Sequence, residues 1–138
     1  MPYWQLFYHL VWATKNREPL ITTVREDLLY RDIRSRANRL GCIPYAIGGT
    51  ENHIHVILTI PPSLSISDVV KQLKGGSSRM LNQQNSVSPD KFKWQTEYSV
   101  FSLGRKQLDK AIRYVQHQKE HHAVGSIIKA LELTRPIE

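Results

Sequence analysis

The order of strand and helix patterns along this sequence predicts an α+β domain of the ferredoxin-like, split β-α-β type. Three observations indicate this fold: an apolar strand pattern near the start, a hairpin-like pair of strand patterns in the middle, and helical periodicity in the intervening and final segments. We expect an antiparallel sheet with helices on one face, plus a C-terminal helix that carries a tyrosine. The 138 residues show no internal repeat or linker, which favours a single domain over residues 1–138.

The first strand is predicted at residues 6–13, where both alternating sets of side chains are mostly apolar. A central strand that is covered on both faces has this pattern. The first helix follows, because Thr23 and Glu26 have capping-box spacing and apolar residues then recur at helical intervals until Gly41.

A hairpin comes next, with strands at residues 43–47 and 53–60 and its turn at residues 48–52. Ser65 and Asp68 again have capping-box spacing and predict the start of the second helix.

Residues 82–89 are polar and resemble a loop, and a fourth strand lies within residues 93–103. Residues 123–133 predict a last short helix. The third helix is predicted from an apolar stripe at helical spacing, formed by Leu108, Ala111, Ile112 and Val115.

The charge balance favours a polyanionic partner or an anionic membrane surface, and a merely soluble basic protein is the alternative. Lys and Arg number 19 against 12 Asp and Glu, a formal net charge of +7, and nucleic acid is the commoner polyanion. Cys42 is the single cysteine, so an intrachain disulfide and a cysteine zinc cluster are excluded, and a cytoplasmic location fits. The apolar stretch at residues 3–13 lacks signal-peptide flanks and is too short to cross a bilayer, so no membrane association is expected.

His53 and His55 are the first candidate functional residues. Alternation along a strand places both side chains on one face, with Cα atoms roughly 6.5 Å apart. The opposite face of the strand is wholly apolar and should be buried under the helices, so we expect the histidines to project from the less covered side. Two imidazoles leave a divalent ion with open positions, as a catalytic site requires. Two surface histidines near a turn are the alternative.

Tyr114 and Gln118 are four residues apart, on one face of the predicted third helix and beside its apolar stripe. A glutamine oxygen could join the metal ligands, and a tyrosine hydroxyl could attack a phosphodiester that the ion polarises. Exchange of one ester for another needs no nucleotide cofactor. A tyrosine at such a boundary is otherwise an ordinary packing residue.

Taken together, these motifs resemble those of the single-tyrosine HUH transposases, which move single-stranded insertion sequences, and of the related repeat-associated tyrosine transposases. The similarity spans roughly residues 8–118. It rests on Tyr8-His9-Leu10-Val11-Trp12, Asn52-His53-Ile54-His55-Val56, Leu73-Lys74-Gly75-Gly76-Ser77-Ser78-Arg79, residues 94–104, and Tyr114 with Gln118.

The resemblance implies an enzyme that cuts and rejoins single-stranded DNA at hairpin-marked ends through a 5′-phosphotyrosine link. Tyr114 would be the nucleophile. His53, His55 and Gln118 would hold Mg²⁺ or Mn²⁺, although the residues alone would also suit zinc. The resemblance further implies a homodimer, in which the tyrosine helix acts within its own subunit or completes the site of the other.

Nucleic-acid contacts are expected along the second helix, which Gly75 and Gly76 should interrupt. Either the helix bends at the glycines, or a backbone or phosphate approaches closely; a solvated basic face with the helix ending at Lys74 is the alternative. The candidate phosphate contacts are Lys71, Lys74, Ser77, Ser78 and Arg79.

Three other functions also fit parts of this sequence. Residues 117–121 match the H-x-x-E-H string of some zinc peptidases, but a third ligand and the scaffold are missing. A non-catalytic module is the stronger rival, because ferredoxin-like sheets also bind RNA, although the expected basic-aromatic strand is absent. A regulator derived from a transposase, which binds single-stranded nucleic acid without cutting it, stays open.

Overall fold

The structure is a computed structural model and describes residues 3–84 and 91–120. The predicted order of strand, helix, strand, strand, helix, strand, helix is confirmed. The helix expected at residues 123–133 and most of the loop expected at residues 82–89 lie outside the described residues. The elements are β1 (Phe7–Ala13), α1 (Thr23–Leu40), β2 (Pro44–Gly49), β3 (His53–Thr59), α2 (Ile66–Gln83), β4 (Ser99–Leu103) and α3 (Arg105–Gln116), with a 3-10 turn at Lys15–Arg17 after β1.

The four strands form one antiparallel sheet in the order β2-β3-β1-β4, which confirms the ferredoxin-like class. β1 lies between β3 and β4, which explains why its side chains are apolar on both faces. The register pairs Val11 with His55 and Ala13 with His53. The candidate histidines therefore lie in the interior of the sheet and not at its edge.

The two faces of the sheet are covered differently. α1 and α2 cover one face, where Leu10, Trp12, Ile54 and Val56 join the main core. α3 covers the other face, where Val115 packs against the β-strands in a smaller cluster. The histidines project, as expected, from the face opposite α1 and α2, but they are not accessible there, because α3 lies over them and both are at most 1% exposed. None of the helices within the described residues is long and apolar enough to cross a bilayer.

The helix ends show local capping. α1 begins one residue earlier than predicted, since the Thr22 hydroxyl, and not that of Thr23, accepts the backbone N–H of Arg25 at 3.3 Å. It ends at Leu40, and the capping residue Gly41 follows with a left-handed φ of 89°. The predicted cap of α2 is confirmed, because the Ser65 hydroxyl accepts the N–H of Asp68 at 3.1 Å.

α2 runs without a break through its two glycines, so the predicted interruption is wrong. Gly75 faces open space. At Gly76, by contrast, a Cβ atom would collide with the guanidinium of Arg36, which Asp32 holds through a 2.8 Å bond. The close approach that the glycines suggested is made by a side chain of α1, which lets the two helices pack together.

Candidate active site

α3 lies directly on the backbone of β2. An added Cβ at Gly48 would collide with the carbonyl oxygen of Val115, so glycine is needed for this contact. Val115 is fully buried against Ala46 and Ile57. Gly48 and Gly49 belong to β2, although the sequence predicted them in a turn. This packing holds the end of α3 above the histidine pair.

The predicted nucleophile and the three predicted metal ligands meet within one chain. Nε2 of His53 lies 3.3 Å from Oε1 of Gln118. The ring of Tyr114 meets that of His55 edge-on, with centroids 5.8 Å apart, and the two histidine rings are 5.1 Å apart. All four side chains are at most 7% exposed. The site is therefore enclosed between α3 and the sheet.

The other ring nitrogen of His53 is held by the turn before β3. Its Nδ1 lies 2.9 Å from Oδ1 of Asn52 and 2.8 Å from the Thr50 hydroxyl. The Thr50 hydroxyl in turn donates to the same Asn52 oxygen at 3.2 Å. Because an amide oxygen only accepts, Nδ1 of His53 carries a proton and donates it. A neutral His53 then presents the lone pair of Nε2 to Gln118.

Gln118 presents a lone pair in return. Its amide N–H donates to the carbonyl oxygen of Tyr114 at 3.1 Å, which turns its oxygen toward His53. Two lone pairs that face each other repel. The contact is therefore favourable only if a positive charge lies between the two atoms, either a proton on an imidazolium or a cation that both atoms bind. Neighbouring ligands of one ion at bond lengths near 2.1 Å lie about 3 Å apart. The 3.3 Å separation of these two atoms therefore fits a divalent ion held by a neutral imidazole and an amide oxygen.

A metal here would need ligands of mixed type. Within residues 3–84 and 91–120, no three His, Cys, Asp or Glu side chains converge in a way that could hold an ion. Besides the two histidines, ligands would come from Gln118, from substrate oxygens or from water. His117, from the peptidase-like string, instead lies 3.3 Å from Glu120, and His121 is outside the described residues.

His9 is a site residue that the sequence did not single out. It is fully buried, and its Nε2 lies 2.8 Å from Nδ1 of His55. It belongs to β1, where its strand partner is Ile57. The available signal was its position as the one strongly polar residue in an apolar strand pattern. A buried histidine in that setting needs a polar partner, and His55 is one.

The segment that follows α3 and carries Gln118 is also linked to α1. Nζ of Lys119 forms an ion pair with Glu26, 2.6 Å from its Oε2. A cavity of about 240 Å³ opens beside this pair, and its lining includes Tyr30, Gly48 and Gln118. Burial, followed by the charge and hydrogen bond of Glu26, raises the pKa of Tyr30, which therefore stays protonated. The cavity reaches Gln118, although that residue is only 1% exposed.

The candidate phosphate contacts on α2 divide into two groups. Lys71 and Arg79 are exposed. Lys74 is half-buried, and its ammonium donates to the carbonyl oxygens of Gln95 and Glu97, the latter at 3.2 Å. Burial lowers the pKa of Lys74, and the charge of Glu97 partly opposes this. Lys74 thus holds the 95–97 segment against α2.

The two serines of α2 are also engaged internally. Ser77 is fully buried; its hydroxyl donates to the carbonyl of Lys74 and accepts from Nε1 of Trp94, both at 3.1 Å. The Ser78 hydroxyl donates to the carbonyl of Gly75 at 3.2 Å. The position of Ser77 suits support of the fold better than contact with a phosphate.

Sequence comparisons find relatives over most of the chain. The family model described as "Transposase IS200 like" matches residues 2–118. The ISDra2 transposase TnpA of Deinococcus radiodurans is 28% identical over 123 residues, which is 85% of this chain and 88% of that protein. The transposase for insertion sequence element IS200 of Salmonella typhimurium is 29% identical over 126 residues, 88% of this chain and 82% of that protein.

Solved structures of the same fold are also found. A candidate transposase from Deinococcus radiodurans superposes with a TM-score of 0.66 at 27% identity, over 86% of this chain and 95% of that one. A REP-associated tyrosine transposase bound to a REP hairpin gives a TM-score of 0.65, over 92% of this chain and 76% of that one. At 15% identity, the second similarity concerns the fold alone.

Proposed function

Because this chain belongs to the IS200-like transposase family, we propose that it cuts and rejoins single-stranded DNA at hairpin-marked element ends through a 5′-phosphotyrosine link on Tyr114. The observation that carries the proposal is the 3.3 Å approach of His53 and Gln118 beneath the helix that bears Tyr114. The same-fold transposase bound to a REP hairpin makes a hairpin a reasonable substrate to test. A DNA substrate also makes the cytoplasm the expected location.

The reaction would be a transesterification. The Tyr114 oxygen attacks phosphorus and forms a new P–O bond, while the bond from phosphorus to the 3′ oxygen breaks. The phenol proton is lost and a proton ends on the leaving 3′ oxygen, so the step is balanced without a nucleotide cofactor. Rejoining is the same exchange with a different 3′ hydroxyl as the attacking group.

His53, His55 and Gln118 would hold a divalent ion, Mg²⁺ or Mn²⁺. When bound, such an ion withdraws charge from the phosphodiester. Two imidazole nitrogens suit Mn²⁺ better than Mg²⁺, which prefers oxygen ligands. The Asn52 and Thr50 contacts keep the proton of His53 on Nδ1 and so direct Nε2 toward the ion.

His9 would do the same for His55. If Nε2 of His55 is a ligand, its Nδ1 carries the proton and donates it to His9 across the 2.8 Å contact. His9 is then a positioning residue, because it acts on the metal only through the orientation and tautomer of His55.

The four residues meet within one chain, so Tyr114 has a site available in its own subunit. A homodimer in which Tyr114 acts on the site of the other subunit is the second arrangement within the proposal. Mixing a variant that lacks Tyr114 with a variant that lacks His53 would separate the two arrangements. Each variant is inactive alone, and the mixed dimer regains activity only if the tyrosine of one subunit acts at the histidine site of the other.

The test is covalent capture of DNA. Labelled hairpin oligonucleotides from the DNA that flanks the coding sequence are incubated with the protein and Mn²⁺, then denatured in detergent. We expect a stable protein–DNA adduct that Tyr114→Phe and chelation of the metal both abolish. Tyr45→Phe is the matched control, since Tyr45 is 38% exposed and packs edge-on against Phe7. An adduct that survives Tyr114→Phe would overturn the mechanism, and tight binding without an adduct would favour the non-catalytic regulator.

A further inference from the structure

A basic groove lies at the end of β1, outside the site described above. It has a volume of about 200 Å³ and is lined by two segments, residues 15–17 and residues 93–96. The side chains of Lys15, Arg17 and Lys93 are all exposed around it. None of these three cations was among the phosphate contacts that the sequence predicted.

The backbone on one side of the groove has an unusual conformation. Asn16 and Arg17 have φ angles of 55° and 52°, in the left-handed region that residues other than glycine rarely adopt. Asparagine tolerates this conformation, but for Arg17 it costs about 1–2 kcal/mol. Two hydrogen bonds hold the turn. The N–H of Arg17 donates to the backbone carbonyl of Thr14 at 3.0 Å, and the Thr14 hydroxyl donates to the backbone carbonyl of Glu18 at 2.6 Å. Backbone strain of this kind concentrates at functional sites.

The other side of the groove is tied to the first. The N–H of Lys15 donates to the carbonyl of Lys93 at 2.9 Å, and the N–H of Gln95 donates to Ala13 at 2.9 Å. The ring of Trp94 is buried beneath the groove, and its indole N–H donates to the hydroxyl oxygen of Ser77. The internal contacts of α2 therefore hold the groove in place.

Like charges are gathered at this position. The positive charge of Lys15 is the largest of several causes that lower the pKa of the exposed Lys93, and Lys91 adds to it. An anion bound among these side chains would be attracted by several positive charges at once.

The groove begins close to the catalytic histidines. Ala13 pairs with His53 across the sheet, and the N–H of Thr14 donates to the carbonyl of Asn52 at 2.9 Å. Lys15 is two residues beyond Ala13, roughly 7 Å along an extended chain. A DNA strand with one phosphate at the histidine site could therefore place a neighbouring phosphate in the groove.

We propose that this basic groove binds the phosphate backbone of single-stranded DNA next to the bond that is cut. The proposal rests on the proposed function, because it takes DNA as the substrate. It assigns to Lys15 and Lys93 the direct contacts that the sequence placed on α2, and to Lys74 and Ser77 a supporting role.

The test compares two double variants that each remove two positive charges from exposed positions. Lys15→Gln/Lys93→Gln changes the groove, and Lys71→Gln/Arg79→Gln is the control on α2. Both are made with Tyr114→Phe, so that binding is measured without cleavage. Fluorescence anisotropy with labelled oligothymidine, over a range of salt concentrations, gives the affinity and its salt dependence.

We expect the groove variant to bind about tenfold more weakly at physiological salt, with a salt slope shallower by about 1.4, since each phosphate contact on a single strand contributes roughly 0.7. The α2 variant should change much less. Unchanged binding by the groove variant, equal losses in both variants, or no binding by the parent protein would each overturn the proposal. If no covalent adduct forms but the groove variant still binds more weakly than the α2 variant, the result counts against the Tyr114 mechanism and not against the groove.

Discussion

Replacing Gly48 with alanine should lift α3 from the sheet and separate the catalytic residues while the rest of the domain stays folded. The new methyl group would overlap the carbonyl oxygen of Val115 and lie 3.0 Å from its carbonyl carbon. These are backbone atoms of a helix, so they cannot turn aside as the end of a flexible side chain can. The helix as a whole has to move.

The size of the effect follows from this overlap. Normal contact requires α3 to withdraw by roughly 1 Å, and overpacking of a tight interface costs about 1–3 kcal/mol of unfolding free energy. A misplacement of about 1 Å between reacting groups costs on the order of a hundredfold in rate. The main core lies on the opposite face of the sheet and does not include Gly48, so the fold should persist.

Gly75→Ala is the matched control, because nothing lies within 4 Å of the added methyl group. Alanine within a helix should raise the unfolding free energy by up to about 1 kcal/mol, without affecting the site. The assay combines urea unfolding with the rate of protein–DNA adduct formation for both variants. Adduct formation by Gly48→Ala at the parental rate would refute the idea that this contact positions Tyr114 and Gln118.

Three further outcomes are expected. Ser77→Ala leaves the buried indole N–H of Trp94 without its acceptor and should lower the unfolding free energy in urea by about 1–3 kcal/mol, whereas an unchanged value would contradict the supporting role. His9→Leu should weaken Mn²⁺ binding, measured by calorimetry without DNA, by about tenfold or more, and His9→Gln should restore part of it by offering His55 an acceptor. Burial raises the pKa of the Cys42 thiol, so a thiol reagent at mildly alkaline pH should react much faster with the urea-unfolded protein than with the folded one. The stability from this neutral thiol is fully present below its ordinary pKa and is lost as pH rises through the raised value.

The sequence predicted the elements well because hydrophobic periodicity is a local property. The pattern at residues 6–13 indicated a strand covered on both faces, and β1 is indeed central in the sheet. The start of α1 was displaced by one residue, because adjacent threonines are equally suited as caps and only the backbone geometry selects Thr22.

Half of the site was also predictable from local geometry. Alternation along a strand places His53 and His55 on one face, and helical spacing aligns Tyr114 with Gln118. Neither rule brings the two pairs together. The two pairs meet because α3 packs closely against Gly48 of β2. This contact joins two segments that are far apart in the sequence, so no local pattern predicts it.

Other features were decided by tertiary structure alone. The contact of His9 with His55 arises from the pairing of β1 with β3, and the role of Gly76 arises from the packing of α1 on α2, which brings the guanidinium of Arg36 against it. Lys74 is directed to backbone carbonyls, although its sequence neighbourhood suggested a surface cation. Periodicity reports which face of an element is apolar, but the partner of each polar side chain depends on how the elements pack, and that is a property of the whole chain.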